Sequence, residues 1–140
     1  MKSQTEIIAI ADSKLSDAEF LFDNKRFESA YYIGGYAVEL LLKARVCKTL
    51  GIDDFFLFKL KSSDSLYKPY KVHDLFQLLI LSGLYRDFEN ELKNPNFKQS
   101  WSLISQWNEG TRYLTTKNEI DVKDFLISIL EFSKWIKKHL

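Results

Sequence analysis

Cysteine, proline and glycine are all scarce in this chain of 140 residues, which contains one, two and five of them respectively. The single cysteine, Cys47, excludes an internal disulfide and a cysteine-rich zinc site. Its place in an apolar helical pattern predicts a small core residue. Low-complexity disorder is excluded too, because 46% of the residues are hydrophobic. The length suits a single domain, residues 1–140, which buries roughly two thirds of its extended-chain surface.

A strong charge of either sign is also missing, since the formal net charge is +1. No global field therefore draws the protein to duplex nucleic acid or to an acidic membrane. The residues that open the sequence contain neither an apolar run nor a small-residue cleavage site, so they do not read as a signal peptide. No stretch approaches the ~20 apolar residues of a membrane span. We expect a cytoplasmic protein without a membrane partner.

The short motifs of metal, cofactor and covalent chemistry are absent as well. The sequence contains no H-x-x-H, H-E-x-x-H or EF-hand pattern. It also lacks a P-loop, a G-x-G-x-x-G fingerprint and a G-x-S-x-G nucleophile elbow. These absences predict no metal site and no cofactor, and no residue is assigned a catalytic role.

Apolar periodicity predicts two long helices at the start of the chain. Residues 4–22 repeat apolar side chains at spacings of three and four, as one face of an amphipathic helix does. A second helix should cover residues 26–50 and stop at Gly51. It is apolar on most sides, so we expect it to be the central, most buried helix. Gly34 and Gly35 lie within it, and either close packing or a ligand touching the backbone would explain them.

The remainder of the chain predicts shorter helices and no strand. Residues 52–71 have no legible pattern. Further helices are expected at residues 73–83, 85–93, 97–107 and from Asp121 onward. Asp121 is the expected N-cap of the last one, and residues 108–120 are expected to form a polar loop. No segment alternates polar and apolar residues with β-branched enrichment. The fold class is therefore all-α, an antiparallel bundle of about five to six helices whose first two are long.

Three strings in the sequence carry a resemblance to a known family. Residues 29–44 read SAYYIGGYAVELLLKA, residues 72–75 read VHDL and residues 107–113 read WNEGTRY. In the same order, these strings resemble the second helix, the H-D-L helix start and the late W-x-x-x-x-R-Y element of HEPN domains. The family name abbreviates "higher eukaryotes and prokaryotes nucleotide-binding". Together the strings extend from residue 29 to residue 113 of the chain.

The resemblance implies a bundle of four to six helices that often assembles as a homodimer. Family members commonly act with nucleotidyltransferase partners in toxin–antitoxin, stress or defence settings. Many are RNases that carry an arginine followed by four to six residues and then a histidine. No arginine of this chain precedes a histidine at that spacing. Histidine suits RNA cleavage because its pKa lies near neutrality, so its absence from this motif predicts a non-catalytic member that binds a nucleotide, RNA or protein.

A charged pair lies within the apolar second helix. Glu39 and Lys43 are four residues apart in the favourable orientation, and Tyr32 and Tyr36 share their stripe. Charges among apolar residues need partners. One interpretation is a polar pocket in which Lys43 binds a phosphate while the tyrosines stack on a base or donate hydrogen bonds. The other is an internal structural ion pair.

Two further candidates lie outside that helix. His73 precedes a predicted helix beside Asp74, where it is either a capping residue or a partly exposed base or phosphate contact. Arg112 follows Trp107 and either forms an anion site with an aromatic wall, or stacks on Trp107 or pairs with Glu39. The candidate ligand-binding residues are therefore Tyr32, Tyr36, Glu39, Lys43, His73 and Arg112.

These candidates leave three functions to be separated. A nucleotide- or RNA-binding module predicts that the charged candidates converge on one open cleft, at a dimer interface if the protein is a homodimer. A protein-interaction subunit that docks a nucleotidyltransferase or another partner, with no small-molecule ligand, predicts that they are sequestered. It also predicts a patch of exposed aromatic residues, such as Phe55, Phe56 and Phe58. A divergent metal-independent RNase would rely on His73 as its base.

Overall fold

The computed structural model describes residues 3–51, 73–113 and 117–140, and those ranges contain helices and no strand. The elements in these ranges are α1 (Gln4–Asp23), α2 (Phe27–Leu50), α3 (Leu75–Leu81), α4 (Tyr85–Glu91), α5 (Pro95–Ile104), a 3-10 helix (Glu109–Tyr113) and α6 (Glu119–Lys137). The prediction of an all-α bundle with two long helices at its start is confirmed. None of the helices in these ranges combines the length and the apolar composition that a membrane span needs.

The hairpin of α1 and α2 is the frame of the bundle. Ser3 caps α1, because its hydroxyl accepts a hydrogen bond from the N–H of Glu6 at 3.2 Å. A short turn then reverses the chain, and Lys25 takes a left-handed φ of 61° within it. α2 stops at the predicted residue, since Gly51 adopts a φ of 65° and donates its N–H to the carbonyl of Cys47.

α2 is the central helix, as its composition predicts. Every side chain from Ala37 to Ala44 is buried, and α2 packs against α1, α3, α6 and the 3-10 helix. Cys47 is buried in the same helix. A helix surrounded in this way has no polar face of its own. Any charged side chain on its buried stretch must therefore find partners inside the protein.

The beginning of α5 differs from the sequence-based prediction. Separate helices were expected at residues 85–93 and 97–107, with residues 94–96 between them. Instead, Asn94 is the N-cap of α5, with its side-chain oxygen accepting from the N–H of Asn96 at 3.0 Å. Pro95 is well suited to the first helical position because it has no N–H to satisfy there. α5 also ends earlier than expected, at Ile104.

The segment expected to be a loop at residues 108–120 contains the 3-10 helix and the first two residues of α6. Asp121 is not the N-cap of α6, so that prediction is wrong. The N-cap is Asn118, whose Oδ1 accepts from the N–H of Asp121 at 2.8 Å. Asn118 in turn donates its side-chain Nδ2 to the Asp121 carboxylate at 2.7 Å. This reciprocal pair works like a capping box and places the N-cap of α6 three residues before the predicted one.

An aromatic cluster holds α4, α5 and α6 together. Phe97 and Trp101 of α5 each lie near-parallel to Phe132 of α6, with ring centroids 5.5 and 5.3 Å apart. Phe88 of α4 meets Trp101 edge-on at 5.0 Å. Such pairs contribute about 0.5–1.5 kcal/mol each beyond the area that they bury. This cluster is aromatic, whereas the buried charged side chains of the described residues, Glu39 and Lys43, are on α2.

Candidate functional site

One stripe of α2 carries four of the six candidate residues. Tyr32, Tyr36, Glu39 and Lys43 are separated by four, three and four positions, which places them on the same side of a helix. The two tyrosines are half-buried. Glu39 and Lys43 are buried, with 0% and 3% of their surfaces exposed. The stripe therefore runs from half-exposed aromatic rings to a charged pair inside the bundle.

Both oxygens of the Glu39 carboxylate are occupied. Oε2 accepts from Nζ of Lys43 at 3.2 Å, and Oε1 lies 3.0 Å from Nδ1 of His73. Two charge-assisted contacts compensate a carboxylate that burial would otherwise penalise. Because Lys43 is itself buried, its ammonium does not face solvent, where a phosphate would approach. The internal ion pair that the sequence left open is therefore present.

His73 connects this buried pair to the surface. It lies immediately before the α3 cap residue Asp74, and 45% of its side chain is exposed. Nε2 lies 3.3 Å from Oε2 of Glu109, which is 49% exposed. Each ring nitrogen thus faces a carboxylate oxygen. Both contacts are hydrogen bonds only when both nitrogens carry protons, as they do in the imidazolium form.

A row of aromatic rings borders the charged residues. Tyr32 lies between Tyr36 and Trp107, with centroid distances of 6.2 and 6.0 Å and interplanar angles of 12° and 21°. Burial raises the pKa of Tyr36 above its usual value, and the nearby charge of Glu39 and then Tyr32 raise it further. The row and the Glu39 carboxylate are therefore close enough to interact electrostatically.

The two glycines of α2 make room for side chains. The Trp107 indole lies against Gly35 so closely that an added Cβ would collide with the ring, and a Cβ on Gly34 would stand 2.8 Å from Cδ2 of Leu126. Close packing therefore accounts for both glycines. The indole Nε1 of Trp107 is buried and has no hydrogen-bond partner in the part of the chain that the structure describes.

The structure brings five of the six candidates together, and Arg112 is the sixth. The backbone of Arg112 lies in the 3-10 helix that packs on α2. Its side chain is outside the described part of the structure, so the expected anion contact, stacking or pairing with Glu39 stays a prediction. Glu109 joins the site without having been singled out, although it lies within the 107–113 string. Its only sequence signal was a charge between Trp107 and the candidate residue Arg112.

Exposed apolar side chains form a separate surface on α3 and α4. Phe76 and Ile80 of α3 and Tyr85 of α4 are 43, 51 and 41% exposed, and the rings of Phe76 and Tyr85 meet edge-on at 6.0 Å. We call these three residues the α3–α4 patch. The expected aromatic patch at residues 55–58 lies outside the described residues and stays a prediction.

Comparison of the chain with protein-family models, with curated proteins and with solved structures finds no match. The resemblance to HEPN domains therefore rests on the three sequence strings. Their described residues lie on α2, at the start of α3, and between α5 and the end of the 3-10 helix. His73 from the second string and Trp107 from the third contact residues of the first, and Glu109 from the third contacts His73.

Proposed function

We propose that this protein is a non-catalytic HEPN-like module that binds a nucleotide or RNA where His73 meets the aromatic row. The observation that carries the proposal is the position of His73. Its ring is half-exposed, and its Nδ1 contacts the buried carboxylate of Glu39. The same carboxylate raises the pKa of Tyr36 in the aromatic row. A ring that is oriented by a buried carboxylate and is half-exposed to solvent is suited to contacting a ligand.

The cost of the buried charges supports a functional role for them. A buried ion pair is often no more stabilising than well-packed apolar residues of the same volume. Stability alone therefore gives little reason to place Glu39 and Lys43 in the middle of the core. The orientation of His73 gives such a reason, because an immobile carboxylate fixes the orientation of the imidazole ring and keeps the proton on Nδ1. Perturbed or buried titratable groups next to an exposed one are a frequent mark of binding sites.

The aromatic row supplies the second half of the proposed site. Nucleobases stack on aromatic side chains, and such stacking contributes about 1–3 kcal/mol per base in single-stranded recognition. Tyr32 and Tyr36 are half-buried, so each ring retains some accessible surface for a base. In this arrangement Lys43 acts indirectly, by pairing with the Glu39 carboxylate inside the bundle, and does not itself bind the phosphate.

Ligand titration tests this proposal directly. Binding of mononucleotides, nucleosides and short RNA oligomers is measured by calorimetry for the native chain, His73→Ala and His139→Ala. His139 is the matched control, since it is the chain's other histidine and its ring meets Trp135 edge-on, away from Glu39. We expect saturable binding that His73→Ala weakens about tenfold, equivalent to about 1.4 kcal/mol, and that His139→Ala leaves unchanged. Equal affinities in all three proteins, or no binding at all, would contradict the proposal.

RNA recovered after incubation distinguishes binding from cleavage. The proposal predicts intact RNA, because the chain lacks the arginine–histidine motif of the RNase members. Products that disappear in His73→Ala would instead favour the divergent metal-independent RNase, with His73 as general base.

The resemblance extends the proposal to the protein's setting. We propose a cytoplasmic homodimer that acts with a nucleotidyltransferase-type partner in a toxin–antitoxin, stress or defence system. Sedimentation of the purified chain tests the dimer. Coexpression with a nucleotidyltransferase encoded beside it, followed by co-purification, tests the partner.

A protein-interaction subunit without a small-molecule ligand is the alternative, and the α3–α4 patch favours it. Apolar side chains that are exposed next to one another often mark protein contacts. Ile80→Lys places a charge in this patch and leaves the α2 site intact. If co-purification of the partner depends on Ile80 and no nucleotide or RNA binds, the alternative replaces the proposal.

A further inference from the structure

Glu109 occupies the outward nitrogen of His73. Nδ1 of the ring is already held by Glu39, so Nε2 is the nitrogen that remains for a ligand. The Glu109 carboxylate lies 3.3 Å from it. An anionic oxygen is thus already positioned where the proposed site would meet its ligand.

Charge shows what kind of group fits there. When the imidazole is doubly protonated, the form in which both carboxylate contacts are hydrogen bonds, Lys43 and His73 carry two positive charges against the single negative charge of Glu39. The inner three residues then have an excess of one positive charge, and Glu109 neutralises it. If Glu109 moves away, the vacated position attracts an anion that accepts a hydrogen bond from an N–H donor. A phosphoryl oxygen meets both conditions.

The two carboxylates that hold His73 differ in their freedom to move. Glu39 is fully buried, whereas the Glu109 side chain is 49% exposed. The backbone around Glu109 is fixed by Asn108, whose Oδ1 accepts from the N–H of Gly110 at 2.8 Å and whose carbonyl accepts from the N–H of Thr111 at 3.0 Å. The Glu109 side chain is therefore able to swing into solvent without unfolding the 3-10 helix.

We propose that Glu109 is an internal stand-in for a ligand's phosphoryl group, and that the ligand displaces it from Nε2 of His73. This inference rests on the proposed function, in that it assigns the anionic part of the same ligand. It makes Glu109 a competitor that lowers the affinity for phosphorylated ligands. His73 becomes the residue that contacts the phosphoryl group, in place of Lys43.

Titration with inorganic phosphate tests the competition without depending on base recognition. The ring signals of His73 are followed by NMR in the native chain, in Glu109→Gln and in Glu109→Ala. Glu89→Gln is the matched control, because Glu89 is an exposed carboxylate on α4 and its substitution changes the net charge equally. Half-exposed ion pairs contribute up to about 1 kcal/mol, so we expect phosphate to bind about two- to fivefold more tightly to both Glu109 variants and unchanged to Glu89→Gln.

The remaining outcomes overturn the proposal. Equal phosphate affinity in all four proteins, or no phosphate binding in any, would show that Glu109 does not compete with an anion. A gain in Glu89→Gln as large as in Glu109→Gln would assign the effect to net charge. Adding His73→Gln to Glu109→Ala removes the NMR probe, so phosphate binding to this double variant and to Glu109→Ala is compared by calorimetry. The double variant should lose the gain, and a gain that persists would place the phosphate elsewhere.

Nucleotide ligands separate this inference from the proposed function. If the inference holds, Glu109→Ala strengthens the binding of a 5′-mononucleotide but not of the corresponding nucleoside. Equal effects on nucleotide and nucleoside would refute the competition and leave nucleotide binding standing. Phosphate binding that is governed by Glu109, with no preference for a nucleotide over phosphate, would retain the anion site and refute the proposed function.

Discussion

Two charged side chains of α2 connect this helix to the rest of the bundle, and they do so in different ways. Arg45 donates from Nε to the carbonyl of Ser82 at 3.3 Å and from Nη1 to the carbonyl of His139 at 2.7 Å. Glu39 contacts side chains, the ammonium of Lys43 and the imidazole of His73. Arg45 thus ties α2 to the end of α3 and to the last residues of the chain, whereas Glu39 orients a half-exposed side chain.

The difference separates a structural contact from a candidate site. Backbone carbonyls at the ends of helices need donors whatever the function of the protein, and Arg45 supplies them together with Lys48, which also donates to the carbonyl of His139. The carboxylate of Glu39 does not satisfy backbone groups, because its partners are the ionisable side chains of Lys43 and His73. We therefore expect changes at Arg45 to affect stability alone, and changes around Glu39 to affect stability and ligand binding together.

The largest effect is expected from Glu39→Ala. It leaves the Lys43 ammonium buried without its carboxylate, and breaking a buried pair in this way costs about 3–5 kcal/mol. Chemical denaturation of the native chain and of Glu39→Ala measures the loss in free energy of unfolding. In Glu39→Leu/Lys43→Met both charges are replaced by apolar side chains of similar volume, so most of that stability should return. Ligand binding should not return, because His73 still lacks its partner, and recovery of both would remove the functional role of the pair.

Arg45→Ala should have the next largest effect. Hydrogen bonds to a charged group contribute about 1.5–3 kcal/mol, and Arg45 is partly exposed, so we expect a loss of about 2 kcal/mol in the free energy of unfolding. Nucleotide affinity of the folded protein should match that of the native chain. A weakened affinity at concentrations of denaturant where the variant is still folded would show that the two regions are coupled.

Gly35→Ala tests whether Trp107 positions the site. The added methyl group collides with the indole, and overpacking costs about 1–3 kcal/mol. The higher helix propensity of alanine offsets about 1 kcal/mol of this cost, so the net loss in the free energy of unfolding should be about 1 kcal/mol. Gly34→Ala is the control, since its Cβ meets the end of the Leu126 side chain, which is able to rotate away. Only Gly35→Ala should reduce ligand affinity, because it alone displaces Trp107. Trp107 is two residues before Glu109 in the chain, so its displacement should also move Glu109. Equal affinities in both variants would contradict this role.

Local signals in the sequence predicted the long helices and part of the site. The end of α2 at Gly51 follows from the preference of glycine for a left-handed φ, and the Glu39–Lys43 pair follows from their spacing on one helix. Contacts between segments that are far apart in the sequence produce no periodic pattern of residues. Glu39 and His73 are 34 positions apart, so the resemblance, and not periodicity, was the reason to consider them together.

The errors at helix starts arose where two local signals competed. Asn94–Pro95 reads equally well as the end of one helix and as the cap and first residue of the next. Asn118 and Asp121 are both good N-caps. The structure selects Asn118 because Asp121 is then able to donate its N–H to it and accept from its amide. Choosing between such signals requires the packing of α6, which a single sequence does not display.

The smallest effect is expected in the titration of Tyr36. Burial, then Glu39 and then Tyr32 raise the pKa of Tyr36, whereas burial alone raises the pKa of Tyr31. Both phenols are thus harder to ionise in the folded protein than in the unfolded chain. Their contribution to stability is complete below the unfolded pKa of about 10 and is lost as the pH rises through the folded value.

Glu39→Gln removes the charge and retains a hydrogen-bonding side chain, so it isolates the electrostatic part of this effect. The pKa of Tyr36 should fall towards its usual value without reaching it, since burial remains. The pKa of Tyr31 should not change, which makes it an internal control. NMR of ring-labelled tyrosine follows both residues in one sample. A fall of equal size at Tyr31 would indicate a general loosening of the fold, and no fall at Tyr36 would show that the Glu39 charge does not reach the aromatic row.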